Sequence, residues 1–321
     1  MNYKPIIVVA GEPFSIFTEI FFKALRNNNF KNPIILIASE KLTFKQMKKL
    51  NFNYEVNLIK QKKLNLNKLN NKKINLINVD FLFKKTFEKI TNKSNKYIDE
   101  CFLIAIQLLK KNKCLGLING PISKKNFLHE KFLGITEYLA HKTNRKDKVA
   151  MLIYNKNLSV SPITTHLPIK KVHKHLTKKK IVKQVELVNE FYIKQLKKKP
   201  KIAITGLNPH CESNYQLSEE DRIIVPAIKY LIQKKYRVDG PFAADTIFMK
   251  EQLKKYDVII GMYHDQVLTP AKALFGFNAI NITLGLPFIR ISPDHGPNVS
   301  MLGKNTSNPQ SLIEALKFLD K

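Results

Sequence analysis

Short runs rich in Val, Ile and Leu recur along the chain, and their alternation with segments of helical period restricts the fold more than any other feature. The runs are Pro5–Ala10, Pro33–Ala38, Ile74–Val79, Cys114–Asn119, Val149–Tyr154, Leu158–Thr164, Lys201–Gly206, Asp257–Met262 and Ala279–Thr283. Each is too short for a helix and too uniformly apolar for a half-exposed strand, so each is predicted as a buried strand. Between them, Tyr97–Lys111, Thr177–Lys198, Ser218–Lys234 and Pro309–Leu319 carry the helical period. Ser218, with acids at 219–221, reads as a helix N-cap that also complements the helix dipole. Strand and helix in alternation predict an α/β fold with a largely parallel sheet. The 321 residues suffice for one large domain or two of ordinary size. No repeat and no Gly/Ser-rich or Pro-rich linker divides them.

Composition removes several classes of function. A chain with 44% hydrophobic and 25% charged residues can bury enough apolar surface to fold. Runs such as Ile6–Ala10 fall far short of the roughly 20 residues that span a bilayer, and Glu12 interrupts any leader-like start. A cytoplasmic location without membrane attachment is therefore expected. Three cysteines without CxxC spacing suggest neither a disulfide framework nor a thiolate metal site. The net charge of +30 raises nucleic acid as a partner, but the cations are nearly all Lys, with Arg only at 26, 145, 222, 237 and 290. Bidentate reading of bases and phosphates favours Arg. Lys, Asn, Ile and Phe, all with A/T-rich codons, crowd stretches such as Lys60–Asn78, so the charge reads as a solvated lysine surface and no specific nucleic-acid partner is expected.

Residues 34–95 read as scaffold. The first strand is followed by Gly11-Glu12-Pro13 and not by a glycine-rich phosphate loop, which argues against a standard dinucleotide-binding turn. Three histidines share one context: His166, His210 and His264 each come just past a predicted strand. In open α/β sheets, ligands bind at the carboxyl ends of strands, so three imidazoles there form a candidate divalent-metal site with positions left for substrate. His129, His141, His173 and His175 lack this context and read as surface residues. Asn208 and Asp265 flank the candidate ligands and suit hydrogen bonding to imidazole, although Asp265 could instead cap a following helix. Lys272, Asn281 and Arg290 punctuate a long apolar stretch. A cation at Arg290, within Phe288-Ile289-Arg290-Ile291, calls for an anion, supplied by a phosphate or carboxylate substrate or by a structural salt bridge.

The order of these motifs resembles the 4-hydroxythreonine-4-phosphate dehydrogenase family of pyridoxal phosphate (vitamin B6) biosynthesis. The resemblance rests on Gly120-Pro121-Ile122-Ser123-Lys124, Gly134-Ile135-Thr136-Glu137-Tyr138-Leu139, Thr164-Thr165-His166-Leu167-Pro168, Leu207-Asn208-Pro209-His210, Gly240-Pro241-Phe242-Ala243-Ala244-Asp245-Thr246, Tyr263-His264-Asp265-Gln266 and Asn281 through Arg290. It implies two α/β/α lobes of the isocitrate/isopropylmalate dehydrogenase type with the active site in the cleft between them, the first lobe 1–128 plus 285–321 and the second 129–284. It implies a homodimer with a shared active site and one divalent metal per site (Zn, Mg or Co) on His166, His210 and His264. It further implies that Thr136, Lys272, Asn281 and Arg290 bind the phosphorylated hydroxy-amino-acid substrate, and that a loop with His295, Gly296 and Asn308 binds NAD (or NADP). The implied reaction is oxidation of 4-phosphooxy-L-threonine to 2-amino-3-oxo-4-phosphooxybutanoate, which decarboxylates to 3-amino-2-oxopropyl phosphate, with Lys272 or Asp245 as proton shuttle.

Two positions depart from the family. Ile135 stands where the family has a substrate-binding His, which keeps open a sister dehydrogenase acting on 4-phosphothreonate, 4-phosphoerythronate or a dihydrodiol. The loop 296–300 lacks the acid that related dehydrogenases place near the adenosine ribose, which leaves NAD and NADP both open. A basic nucleic-acid-binding protein and a catalytically idle homologue stand as the more distant alternatives.

Overall fold

The computed structural model describes all residues except 1–3, 27, 62–63, 112, 129–131, 133, 212–216, 277, 294 and 321. His129 falls outside this set. The chain divides into two compact units, residues 1–144 with 286–321, and residues 145–285. The chain opens with β1 (Ile6–Val9), α1 (Phe17–Arg26), β2 (Ile34–Ala38), α2 (Glu40–Lys49), β3 (Val56–Leu58), β4 (Ile74–Asn78), α3 (Asn95–Lys110), β5 (Gly116–Asn119) and α4 (Ile135–Lys142). The second unit contains β6 (Ala150–Tyr154), β7 (Ser159–Thr164), α5 (Ile169–His175), α6 (Lys178–Leu196), β8 (Ile202–Thr205), α7 (Val225–Gln233), β9 (Val238–Phe242), α8 (Lys250–Leu253), β10 (Val258–Tyr263), α9 (His264–Phe275) and β11 (Ile280–Leu284). With β12 (Arg290–Pro293) and α10 (Gln310–Leu319) the chain returns to the first unit.

In the first unit the strand order is β3-β4-β2-β1-β5-β12, and every pairing is parallel. Ile6–Val9 and Ile34–Ala38 are buried at every position, as strands covered on both faces must be. In the second unit the order is β11-β6-β7-β10-β8-β9; β7, β10, β8 and β9 run parallel, whereas β6 is antiparallel to both of its neighbours. The predicted strands all form. The sequence missed β3 and β9, which are short and carry Asn, Asp, Gly or Pro in place of an apolar run, and marked β12 only through Arg290, read as a cation on a strand or at its end.

Thr177 caps α6, its hydroxyl accepting from Lys180 N–H at 3.3 Å. Ser218 accepts from Asp221 N–H at 3.3 Å, but the chain first takes a π-helical turn over Glu220–Ile224 before α7. The segment 134–144, placed with the second lobe by the sequence reading, packs in the first unit because Tyr138 and Leu139 join its core beside Phe102 and Leu117. Ile135 lies against this same apolar cluster. Among the described residues, no helix is long and apolar enough to cross a membrane.

Candidate active site

Within the second unit, β7, β10 and β8 lie side by side and parallel, so the residues following each leave the sheet at one edge. His166, His264 and His210 are those residues. The register pairs Tyr263 with Thr164, and Thr164 Oγ1 donates to Met262 O at 2.8 Å. The His166 and His264 rings are consequently neighbours, with centroids 5.9 Å apart. His264 begins α9, and its Nδ1 lies 2.6 Å from Asp265 Oδ1. Asp265 therefore faces the imidazole, and a carboxylate there favours the Nδ1–H tautomer and leaves the Nε2 lone pair outward. Behind them, Gln266 Oε1 accepts from Met262 N–H and Thr205 Oγ1 while its Nε2 donates to Gly206 O, lacing the ends of β10 and β8 together.

His210 sits in a short turn with φ 57°, in the left-handed region, and its side chain is exposed. Glu220, 2% exposed, holds the approach to it by accepting from the N–H groups of Leu207 (2.7 Å) and Asn208 (2.9 Å) and from Asn208 Nδ2 (2.8 Å). Gly206 lets these groups pack closely beneath the turn, because a Cβ there would lie 2.7 Å from Cys211 Sγ and 3.0 Å from Glu220 Oε1. Burial pushes the Glu220 carboxyl up, but the donated hydrogen bonds outweigh it and hold the carboxyl below the ordinary value. That stabilisation is present above the unfolded-state value and is lost as pH falls through the lower folded value. Glu220→Ala is expected to destabilise the unit by about 1 to 3 kcal/mol, since it strands buried donors. Hydrogen exchange at the Leu207 and Asn208 amides should accelerate first; unchanged protection there would contradict the assignment.

The strand ends bring His166 and His264 together but not all three histidines. Among the described residues no three His, Cys, Asp or Glu side chains converge closely enough to hold an ion. The left-handed turn carries His210 on its own loop. The pair comes near to what a metal needs: imidazoles sharing a tetrahedral ion at about 2.0 to 2.1 Å place their ring centres about 5 to 5.5 Å apart, a few tenths of an ångström closer than the observed 5.9 Å. The Asp265 contact is of the kind that orients metal-binding imidazoles.

The other expected residues divide between the units. Asp245 is exposed on the turn after β9, and Lys272 is exposed on α9. Asn281 lies on β11 opposite Ile153, with its Oδ1 buried and lacking a partner among the described residues. In the first unit, Thr136 is half-buried on α4. Arg290, on β12, is 0% exposed; its Nε donates to Asn119 Oδ1 at 2.7 Å. Burial pushes the guanidinium down to about 9, opposed by the nearby Glu137 carboxylate, so it remains a cation at neutral pH. Glu137, with Oε2 buried and without a partner among the described residues, thus supplies an anion from within the protein. His295 is half-buried, Gly296 is exposed with nothing within 4 Å of where a Cβ would stand, and Asn308 is exposed with its Oδ1 accepting from Gln310 N–H at 2.9 Å.

A family model described as pyridoxal phosphate biosynthetic protein PdxA matches residues 29–319. The chain belongs to the PdxA family. It is 38% identical over 318 residues to the 4-hydroxythreonine-4-phosphate dehydrogenase of Sulfurihydrogenibium sp., covering 98% of this chain and 96% of that one. It is 31% identical over 325 residues to a protein of Oceanobacillus iheyensis provisionally named D-threonate 4-phosphate dehydrogenase, covering 98% and 97%. The solved structure of the Klebsiella pneumoniae 4-hydroxythreonine-4-phosphate dehydrogenase aligns with a TM-score of 0.84 and 28% identity over 98% of both chains. Membership in the PdxA family explains the order of motifs from Gly120 to Arg290. Sequence reasoning missed the roles of Asn119 at the end of β5, Glu137 on α4 and Glu220 in the π-helical turn, because an isolated polar residue carries no spacing signal of its own.

Proposed function

We propose that this chain is a 4-hydroxythreonine-4-phosphate dehydrogenase: it oxidises 4-phosphooxy-L-threonine at its secondary alcohol with NAD or NADP, and the β-keto acid formed loses CO2 to give 3-amino-2-oxopropyl phosphate. The observation that carries this reading is the His166–His264 pair, with Asp265 on His264, at the carboxyl ends of adjacent parallel strands in a PdxA-family chain. When bound, a divalent ion (Zn, Mg or Co) supplies Lewis acidity at the hydroxyl and the nicotinamide accepts the hydride. His166, His210 and His264 would hold the ion. In this reading, as the family resemblance implies, the active form is a homodimer whose second copy completes the site; the absence of a three-ligand cluster among the described residues of one chain is compatible with that.

Lys272 or Asp245, both exposed, takes the hydroxyl proton and returns one to the carbon left by CO2. Asn281 offers a buried carbonyl oxygen to a substrate donor, and Thr136 and Lys272 bind phosphate oxygens. Arg290 contributes positive charge, but direct contact with an anion requires the side chains enclosing it to rearrange. His295, Gly296 and Asn308 hold the dinucleotide. A second reading, oxidation of 4-phosphothreonate, draws support from the Oceanobacillus relative and from Ile135, whose packing against the core leaves no imidazole there for the substrate.

Metal-loaded protein assayed for NADH formation with 4-phosphooxy-L-threonine, 4-phospho-D-threonate and 4-phospho-D-erythronate side by side tests the assignment. The expected result is the highest kcat/KM for 4-phosphooxy-L-threonine. A preference of about tenfold or more for a sugar acid, equivalent to 1.4 kcal/mol of transition-state binding, would transfer the assignment to the second reading.

A further inference from the structure

The first unit contains an ion pair that grips the backbone of the dinucleotide loop from below. Lys23 and Glu19 stand one turn apart on α1, with Lys23 Nζ 2.9 Å from Glu19 Oε1. The same ammonium donates to Asn305 O and Ser307 O, each at 2.9 Å, so its three protons are all committed. Glu19, 2% exposed, accepts in turn from Ser307 N–H at 2.6 Å. Two side chains on one helix thus fix both the carbonyl and the amide of Ser307, the residue just before Asn308. Charged groups make the stronger hydrogen bonds, and enclosure raises their strength further. At the other side of the loop, Ile16 N–H donates to Pro297 O at 3.2 Å. Gly303 turns the backbone at φ 74° where a Cβ would come within 2.9 Å of Phe87.

We propose that Glu19 and Lys23 are positioning residues for the dinucleotide: by locking the backbone of residues 305–307 they preset the Asn308 amide in its binding orientation. This rests on the assignment of the 295–308 loop to NAD(P). Neither side chain touches the ligand. Their effect is preorganisation, since a loop already ordered in its bound conformation loses less entropy on binding. The effect falls on dinucleotide affinity and leaves the phosphorylated substrate unaffected.

Direct binding of NADH to the metal-loaded full-length protein, followed by fluorescence titration, tests this together with amide exchange at Ser307. Lys23→Met is expected to weaken NADH binding about tenfold and to accelerate Ser307 exchange, while KM for the phosphorylated substrate stays within about twofold. Lys23→Arg, which keeps a multidentate cation, should recover most of the affinity. Glu19→Gln keeps an acceptor for Ser307 N–H and serves where Lys23→Met lowers the yield of folded protein; a smaller loss in the same direction is expected. Asn308→Ala separates the proposal from its premise. If Asn308→Ala weakens NADH binding and the Lys23 and Glu19 variants do not, the clamp is refuted and the loop assignment stands. If none of the three changes NADH affinity, the loop assignment fails and the clamp with it. Equal losses in NADH affinity and in substrate KM would assign the pair a general structural role and overturn the proposal.

Discussion

Arg290→Ala is expected to lower the stability of the protein by about 3 to 5 kcal/mol, because it removes one member of a buried charge pair and leaves the other uncompensated. Glu137 is that other member, and Asn119 Oδ1 loses its donor at the same time. Urea unfolding of the variant measures the loss. Adding Glu137→Gln to Arg290→Ala should recover part of it, since the two sites are coupled and their effects do not add. KM for the phosphorylated substrate should rise too, but by less than the loss of stability, because the enclosed guanidinium contributes its charge without direct contact. Lys178→Ala removes the same charge from the surface, where its ammonium lies over the Tyr230 ring, and should alter neither quantity measurably. Equal losses from the two substitutions would mean that overall charge, and not a defined guanidinium site, is responsible.

Glu12→Gln is expected to stabilise the protein at alkaline pH. Glu12 follows β1, is 1% exposed, and receives one hydrogen bond from Ser94 Oγ at 3.0 Å, with its Oε1 lacking a partner among the described residues. Burial raises its carboxyl from 4.5 to about 7, a shift that the bonds from Ser94 and the Phe14 amide only partly oppose. A carboxyl raised on folding favours the fold in its neutral form. Its contribution is therefore complete below about pH 4.5, declines as pH rises towards 7, and is lost above that. The difference amounts to about 3 kcal/mol across the window. Glutamine keeps the shape without the titration, so Glu12→Gln should gain up to about 3 kcal/mol at pH 8 and little at pH 4.5. A stability difference that does not vary with pH would show that Glu12 remains ionised in its enclosure.

The parallel core was legible because burial on both faces leaves an unmistakable apolar run, as at Ile6–Val9 and Val258–Tyr263. The antiparallel β6 was not, since Ala150–Tyr154 has the composition of its parallel neighbours and direction depends on pairing alone. His166 and His264 could be found because a polar residue directly after an apolar run marks a strand end. Their adjacency is a property of sheet order, in which β10 pairs with β7 although many residues separate them along the chain. Arg290 was legible as a cation in need of an anion, but the partner it found, Glu137, lies in a distant segment. Glu19 and Lys23 look in the sequence like an ordinary i,i+4 surface pair, and only the return of residues 305–307 over α1 gives them another role.

Metal stoichiometry of the purified protein and its single-histidine variants tests the central assignment most directly. After exposure to Zn, Mg or Co and removal of free ion, one divalent ion per site is expected in the unmodified protein, measured by elemental analysis. His166→Ala, His210→Ala and His264→Ala should each lose that ion and all measurable NADH formation while unfolding as cooperatively as the unmodified protein, because the three side chains follow the strands and lie outside the core. Full occupancy in His166→Ala or His264→Ala would contradict the metal centre at these strand ends.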